Sequence, residues 1–314
     1  MQLWGRNTSG TIRFFCSSCR TTDTRRRPDR KQQKKHRIVT QWLTRSRSLS
    51  ELAYTERVHP QTLRHWSTGM FSQEHIPTGF FTVVVLDVVW ISHAICACIA
   101  RDPTCTPGVI GWVYGDGETR ELYERLINNI YGAIYVVDGH PSAVQAIHTL
   151  HPLSPLQRCI VHIERQIRIR LTTRPKTLYG RQLLGLVKDL WSIQTKRHKR
   201  RWVRRYQTWR RRSYAFLSEK TYSTDQQGTK RWWHTHKNLR RARTHVDNAL
   251  PHMFRYVTHQ DQIPKHTNHV EGGVNSRLKE LLYRHRGLSV KRRLLLTSLF
   301  LTQISSEKPT RKYH

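Results

Sequence analysis

Residues 79–100 read GFFTVVVLDVVWISHAICACIA, and this apolar run limits what the rest of the chain can become. It is long enough for a membrane span, but Asp87 lies near its middle and His93 follows. A central Asp costs about 2.5–3.5 kcal/mol on the insertion scale. The abundance of β-branched residues and the break around Ser92 favour two strands instead, the first of them buried on both faces. A third strand, GVIGWVYGD, follows. Leu122, Leu126 and Ile130 then recur at helical spacing over 118–130. AIYVVDG (133–139) reads as a fourth strand, HPSAVQAIHTL as a helix and LQRCIVHI (156–163) as a fifth strand. A meander of three strands followed by helix, strand, helix and strand predicts an α/β layered domain.

Two acids sit inside these runs. Asp87 follows FTVVVL, and Asp138 ends AIYVVD. A carboxylate there must be neutral, paired or metal-bound, because an isolated buried charge is very costly. No Lys or Arg close to either in sequence supplies a partner. Farther along, TNHVEGGVNSRLKELLYRHRGLS (267–289) opens like a helix capped by Asn268 with Glu271 three positions later. Gly272 and Gly273 in the first turn are each about 1 kcal/mol worse than Ala in a helix interior. Glu271 is either the reaching carboxylate of a capping box or a functional acid beside a backbone kept bare for a large ligand. On a helical wheel Glu271 borders the arc of Val274, Leu278, Leu281 and Leu282, while Asn275 and Lys279 turn outward. Two strand-borne Asp and one helical Glu make an oxygen-ligand set suited to two Mg²⁺ ions, which serve phosphodiester chemistry. Asp138 before Gly139 could also simply open a turn.

Charge supplies the context. Against 55 Lys and Arg stand 21 Asp and Glu, a formal excess of +34, so the expected partner is a polyanion and nucleic acid first. After Glu164 the chain reads as helical and basic for about a hundred residues. KRHKRRWVRRYQTWRRR (196–212) holds ten Lys or Arg and no acid. Trp202, Tyr206 and Trp209 share one side of that helix and are expected in a core. The arginines, Arg200, Arg201, Arg204 and Arg205 among them, are expected to meet phosphate.

At the amino end, IRFFCSSC places Cys16 and Cys19 after a β-like run. One Cys-x-x-Cys supplies two of the four ligands of a structural zinc. It is either half of a zinc ribbon whose other pair lies upstream, or it binds no metal. The six cysteines show no disulfide-like spacing and no signal peptide is evident, which suits a reducing cytoplasm. TRRRPDRKQQKKH (24–36) reads as a basic linker. Ile38, Trp42 and Leu43 then share a helical face, Ser48 or Ser50 caps a short helix, and Pro60 opens another with Leu63 and Trp66 inward. Gln61, Thr62, Arg64 and His65 point outward, which fits a DNA-binding helix-turn-helix or an ordinary helical hairpin.

Taken together, VVVLDVVWI, YVVDGHPSAVQAI, QRCIVHIERQ with Cys159 and His162, and the glycine-rich segment around Glu271 resemble bacterial insertion-sequence transposases of the Mutator-like type. The resemblance covers about 79–290 and, more loosely, 37–70; the first Cys pair of some relatives is absent. It implies an RNase H-like core with an Asp–Asp–Glu triad at Asp87, Asp138 and Glu271, interrupted by a helical insertion. His162 would sit near the same centre, or serve as an ordinary core hydrogen-bonder. The implied division is a partial zinc-ribbon-like segment at 1–22 and a helix-turn-helix region at 23–70. Core segments at 76–165 and 263–314 then flank the insertion at 166–262. The implied activity is Mg²⁺-dependent DNA cleavage and strand transfer, with Mn²⁺ as a substitute. Partners would be terminal inverted repeats, target DNA and a second copy assembled on DNA, in the bacterial cytoplasm and nucleoid, with no membrane. DNA contacts would come from Arg64, Lys279 and the four arginines of 200–205. The alternatives are a non-catalytic transposon-derived repressor and a structure-specific nuclease with the same core.

Overall fold

The structure, a computed structural model, describes residues 2–8, 10–24, 28–45, 48–104, 108–224, 230–258, 263–265 and 271–306, the side chains of 28, 29, 271, 272 and 306 excepted. The chain forms two compact units, Met1–Phe71 and Ser72–His314.

In the first unit β1 (Gln2–Arg6), β2 (Ile12–Phe15) and β3 (Thr22–Thr24) form an antiparallel sheet. Three helices follow: α1 (Pro28–Thr44), α2 (Leu49–Thr55) and α3 (Pro60–Thr68). The basic stretch expected as a linker is therefore largely the first half of α1. Pro28 is pre-set for the first helical position, and Lys, Gln and Arg are good helix formers, so the polar run is the exposed start of a helix whose Ile38, Val39, Trp42 and Leu43 are buried. Ser48 caps α2, its side chain accepting from the Glu51 N–H at 3.1 Å. His59 caps α3 ahead of Pro60. Leu52, Ala53 and Leu63 complete the core, while Trp66 is only half-buried, with the Lys35 ammonium 5.9 Å from its ring centre.

The second unit is mixed α/β. Its elements are β4 (Gly79–Phe80), β5 (Val83–Trp90), β6 (Cys96–Arg101), β7 (Val109–Gly115), α4 (Arg120–Ile127), β8 (Ile130–Tyr131), β9 (Ile134–Val137), α5 (Pro141–Leu150), β10 (Leu156–Arg158) and α6 (Ile160–Leu171). Then come α7 (Leu178–Lys188), α8 (Lys196–Arg212), α9 (Tyr214–Ser218), β11 (Lys220–Thr224), β12 (Lys230–His234) and α10 (Lys237–Ala249). A π-helical turn, Glu271–Asn275, leads into α11 (Ser276–Arg284), and α12 (Val290–Ser306) follows.

The main sheet has the order β10-β9-β5-β6-β7. β5, β6 and β7 are the expected antiparallel meander, and β9 and β10 run parallel to β5 and to each other. Side chains alternate between faces along a strand. Val84, Leu86, Tyr135 and Val137 pack against α4 and α5, whereas Val83, Val85 and Val136 pack against a larger helical core that includes Ile160, Ile163 and Ile167 of α6.

Two expectations are corrected. LQRCIVHI is a strand only through Arg158, and α6 starts at Ile160. Helical spacing of Ile160, Ile163 and Ile167 outweighs the β-branched composition, so His162 is helical. The basic region is also not all helix, since β11 and β12 pair as an antiparallel hairpin with Tyr222 opposite Trp232. Aromatic and Thr side chains favour that pairing. No helix among the described residues is long and apolar enough to cross a membrane.

Candidate functional site

The register of the parallel strands brings the two aspartates together. Val83, Val84 and Val85 pair with Ile134, Tyr135 and Val136. One more pleat along the same face places Asp87 level with Asp138, just past the end of β9. Leu156, Gln157 and Arg158 pair with Tyr135, Val136 and Val137, so Cys159 continues the row on the third strand. Adjacent strands lie about 4.8 Å apart, and both acids alternate onto the face covered by α6. They occupy the place where the apolar cover of Val83, Val85 and Val136 stops.

Local chemistry fixes each carboxylate. Asp87 Oδ1 accepts from the Val88 N–H at 2.9 Å, and Asp87 Oδ2 accepts from Asn275 Nδ2 at 2.5 Å. Asp138 Oδ1 accepts from the His140 N–H at 2.8 Å, which turns the chain into α5. Gly139 between them has φ +88°, and a Cβ there would overlap the Arg158 guanidinium. Only glycine satisfies both the backbone angle and the packing. Arg158 is buried, and its Nε donates to the Asp138 backbone carbonyl at 3.3 Å.

The electrostatics show a carboxylate pair held in a half-dry place. Burial pushes Asp87 up to about 6; His162, the Val88 N–H and Lys279 oppose the shift, and Asp138 adds to it. Burial works against the His162 imidazolium, yet the neighbouring Cys159 sulfur and the two aspartates outweigh it and raise it to about 9. His162 is thus a cation facing the acid row. Glu118 lies at the edge of the same field: burial raises it, Tyr123 and His140 oppose the rise, and Asp138 strengthens it. The Tyr123 hydroxyl donates to Glu118 at 2.5 Å, and His140 Nδ1 stands 3.5 Å from the same oxygen. Buried Arg101, cross-strand from Val85, adds positive charge within reach of Asp87.

The structure therefore gathers Asp87, Asp138, His162 and Cys159. Lys279 is exposed on α11, within the electrostatic reach of Asp87. Glu271 begins the π turn four residues ahead of Asn275; its side chain, like the Asn268 cap, lies outside the described residues. Asn275 is a correction. It is 1% exposed and bonded to Asp87 rather than turned to solvent, because the π turn re-phases the helix relative to a uniform α wheel. A Cβ on Gly273 would meet nothing within 4 Å among the described residues.

Sequence reasoning passed over Arg158, Arg101, Asn275 and Glu118. Arg158 and Arg101 lie in or at the end of apolar strands, so the test applied to the aspartates would have found them. Asn275 Oδ1 is buried with no hydrogen-bond partner among the described residues. An orphaned amide oxygen on a residue bonded to the Asp87 carboxylate fits a hard divalent cation, which takes oxygen ligands. Among the described residues no group of three His, Cys, Asp or Glu side chains could hold a metal ion.

The other residues expected to contact DNA are spread over two helices, one in each unit. Arg64 is exposed on α3, and Arg200, Arg201, Arg204 and Arg205 are exposed on α8. These four line an open groove of about 1230 Å³ between α7 and α8. The charges of α8 are not wholly uncompensated, because Arg205 pairs with Asp189 at 2.6 Å and Arg210 with Asp247 at 3.4 Å. Trp202, Tyr206 and Trp209 are buried. In the first unit Cys19 Sγ lies 2.9 Å from Thr21 Oγ1, and hydrogen bonds from Cys19 and Ser18 lower the Cys16 thiol to about 7. No protein-family model matches the chain, and no curated protein matches it.

Proposed function

We propose that this chain is a DNA transposase of the Mutator-like insertion-sequence type, cutting and joining DNA strands at an Asp–Asp–Glu centre. The observation that carries the proposal is the shared row of Asp87 and Asp138 on adjacent parallel strands, with Asn275 bonding Asp87 from the turn that Glu271 begins. A meander continued by two parallel strands, with acids on the first and fourth strands in chain order, supports an RNase H-like core. Asp87, Asp138 and Glu271 would hold Mg²⁺, or Mn²⁺ in its place. The bound ions would activate the attacking oxygen and stabilise the leaving one. Asn275 fixes the rotamer of Asp87, and Arg158 braces the Asp138 turn. The imidazolium of His162 offsets the negative charge of the row. The basic groove of α8 would hold DNA backbone and α3 with Arg64 would meet the element end. Terminal repeats, target DNA and a second copy assembled on DNA would be the partners, in the bacterial cytoplasm and nucleoid.

The test is Glu271→Gln, assayed with Mg²⁺ on DNA carrying the flanking inverted repeats. Gln retains the capacity to cap but loses the charge a hard cation requires. Nicking should fall by several orders of magnitude while the melting temperature and DNA affinity hold. Retained nicking would sink the triad. Cleavage without joining to a target plasmid would make the protein a nuclease, and binding without cleavage by the parent chain would make it a repressor.

A further inference from the structure

The hairpin β11–β12 exposes large aromatic side chains that the fold leaves uncovered. Trp232 is 53% exposed, Trp233 47% and Tyr222 71%. Alternation places Tyr222 and Trp232 on one face and Trp233 on the other. A two-stranded hairpin is marginal by itself, so spending three large aromatics on solvent-facing positions contributes little to folding. Both tryptophans border an open groove of about 620 Å³ between the hairpin and α10. Arg170, Lys237, Arg240 and Arg241 line it as well, and among the described residues no acid does. Lys220 Nζ stands 4.0 Å from the centre of the Trp232 ring.

Two further atoms point to a ligand. His234 Nδ1 and His245 Nε2 are buried without a hydrogen-bond partner among the described residues, and both residues line the groove. Buried polar atoms normally have partners. His245 is held down to about 4, first by burial and then by Arg158 and Arg170, so its ring is neutral and can accept as well as donate. The same residue feels the charge of Asp138, which puts the groove within electrostatic reach of the acid row.

We propose that this groove binds an unpaired nucleotide, its base stacked on one of the hairpin tryptophans and its phosphates met by Arg170, Arg240 and Arg241. Exposed aromatic faces beside a strip of cations suit single-stranded nucleic acid, since every base has a face to stack and a phosphate to neutralise. A duplex keeps its bases paired and stacked, so the tryptophans would add little to duplex affinity. The two histidine nitrogens offer hydrogen bonds to a base edge. The inference does not depend on catalysis at Asp87 and Asp138.

The test uses the full chain in a chelating buffer, so that no cleavage enters the measurement. Fluorescence anisotropy would follow labelled oligo(dT), oligo(rU) and a DNA duplex of equal length against the parent, a Trp232→Ala/Trp233→Ala variant and a Trp232→Phe/Trp233→Phe variant. The Ala pair should weaken binding of at least one single strand by roughly tenfold to a hundredfold, with duplex affinity changed less than twofold and the Phe pair retaining most of the binding. Comparing the dT and rU arms shows whether the strand is DNA or RNA. Equal losses on single strand and duplex, or no loss on either single strand, would overturn the proposal. So would sedimentation showing that the parent dimerises through the tryptophans and the Ala pair does not. If the Ala pair melts early, the Phe pair decides alone: a stacking site tolerates it, and single-strand binding lost in a stably folded Phe pair counts against stacking.

Discussion

Asp87 is expensive to keep where it is. Its carboxyl binds a proton more tightly folded than unfolded, so stability falls as pH rises from the ordinary 3.8 through about 6, and the cost is complete above that. Asp87→Asn should therefore melt several degrees above the parent at pH 8 in chelator, the gain shrinking toward pH 4, while nicking disappears. A variant less stable than the parent at pH 8 would show that the carboxylate is structural. His245 has the opposite sign. Its folded value of about 4 lies below the ordinary 6.5, so the stability of the neutral ring is present above pH 6.5 and is lost as pH falls from there toward 4. The groups facing it are Arg158, Arg170 and Asp138. Urea midpoints of parent and His245→Gln, compared at pH 7.5, 5.5 and 4.5, should show the parent losing ground only in that window. The two aspartates were legible because charge inside an apolar strand needs a reason. Asn275 was not, since its burial depends on a π turn that no propensity announces, and its partner Asp87 lies 188 positions away.

At the scale of elements, two glycines make opposite predictions. Gly139→Ala must accept φ +88° and a Cβ inside the Arg158 guanidinium, and should cost about 2–4 kcal/mol. Gly185 lies inside α7 with nothing within 4 Å of an added Cβ, so Gly185→Ala should gain about 1 kcal/mol of helix propensity. Chemical denaturation of both variants checks the pair; a Gly139→Ala that matched the parent would mean that Arg158 does not brace the turn. Strands were easy to read wherever both faces are covered, because β5 and β6 then run almost wholly apolar, with Asp87 and Arg101 the exceptions. The amphipathic helix α8 was legible from its aromatic spacing. β10 was overread, because Val and Ile after Arg158 look extended in isolation, while their three-residue spacing continues only inside α6. The hairpin was missed because its strands carry Lys, Arg and exposed tryptophans, with no buried face to impose alternation.

Over the whole molecule, an excess of +34 makes any polyanion contact depend on salt. Replacing Arg200, Arg201, Arg204 and Arg205 with Ala should weaken DNA binding on all sequences alike and lower the slope of log K against log salt by about 3, at roughly 0.9 per phosphate contact. Arg205 is already held by Asp189, so the fourth contact is discounted. A loss confined to one preferred sequence would mean that α8 reads bases. The charge excess was visible from composition, whereas which face carries it required the fold. The bond between Asp87 and Asn275 has a consequence in time. At synthesis rates of about 5–20 residues per second, the ribosome needs on the order of 10–40 s to travel the 188 positions between them. A nascent chain can close its sheet and align both aspartates well before the last turn emerges. A chain interrupted anywhere between Asp138 and Asn275 would carry both aspartates with Asp87 left without its amide partner.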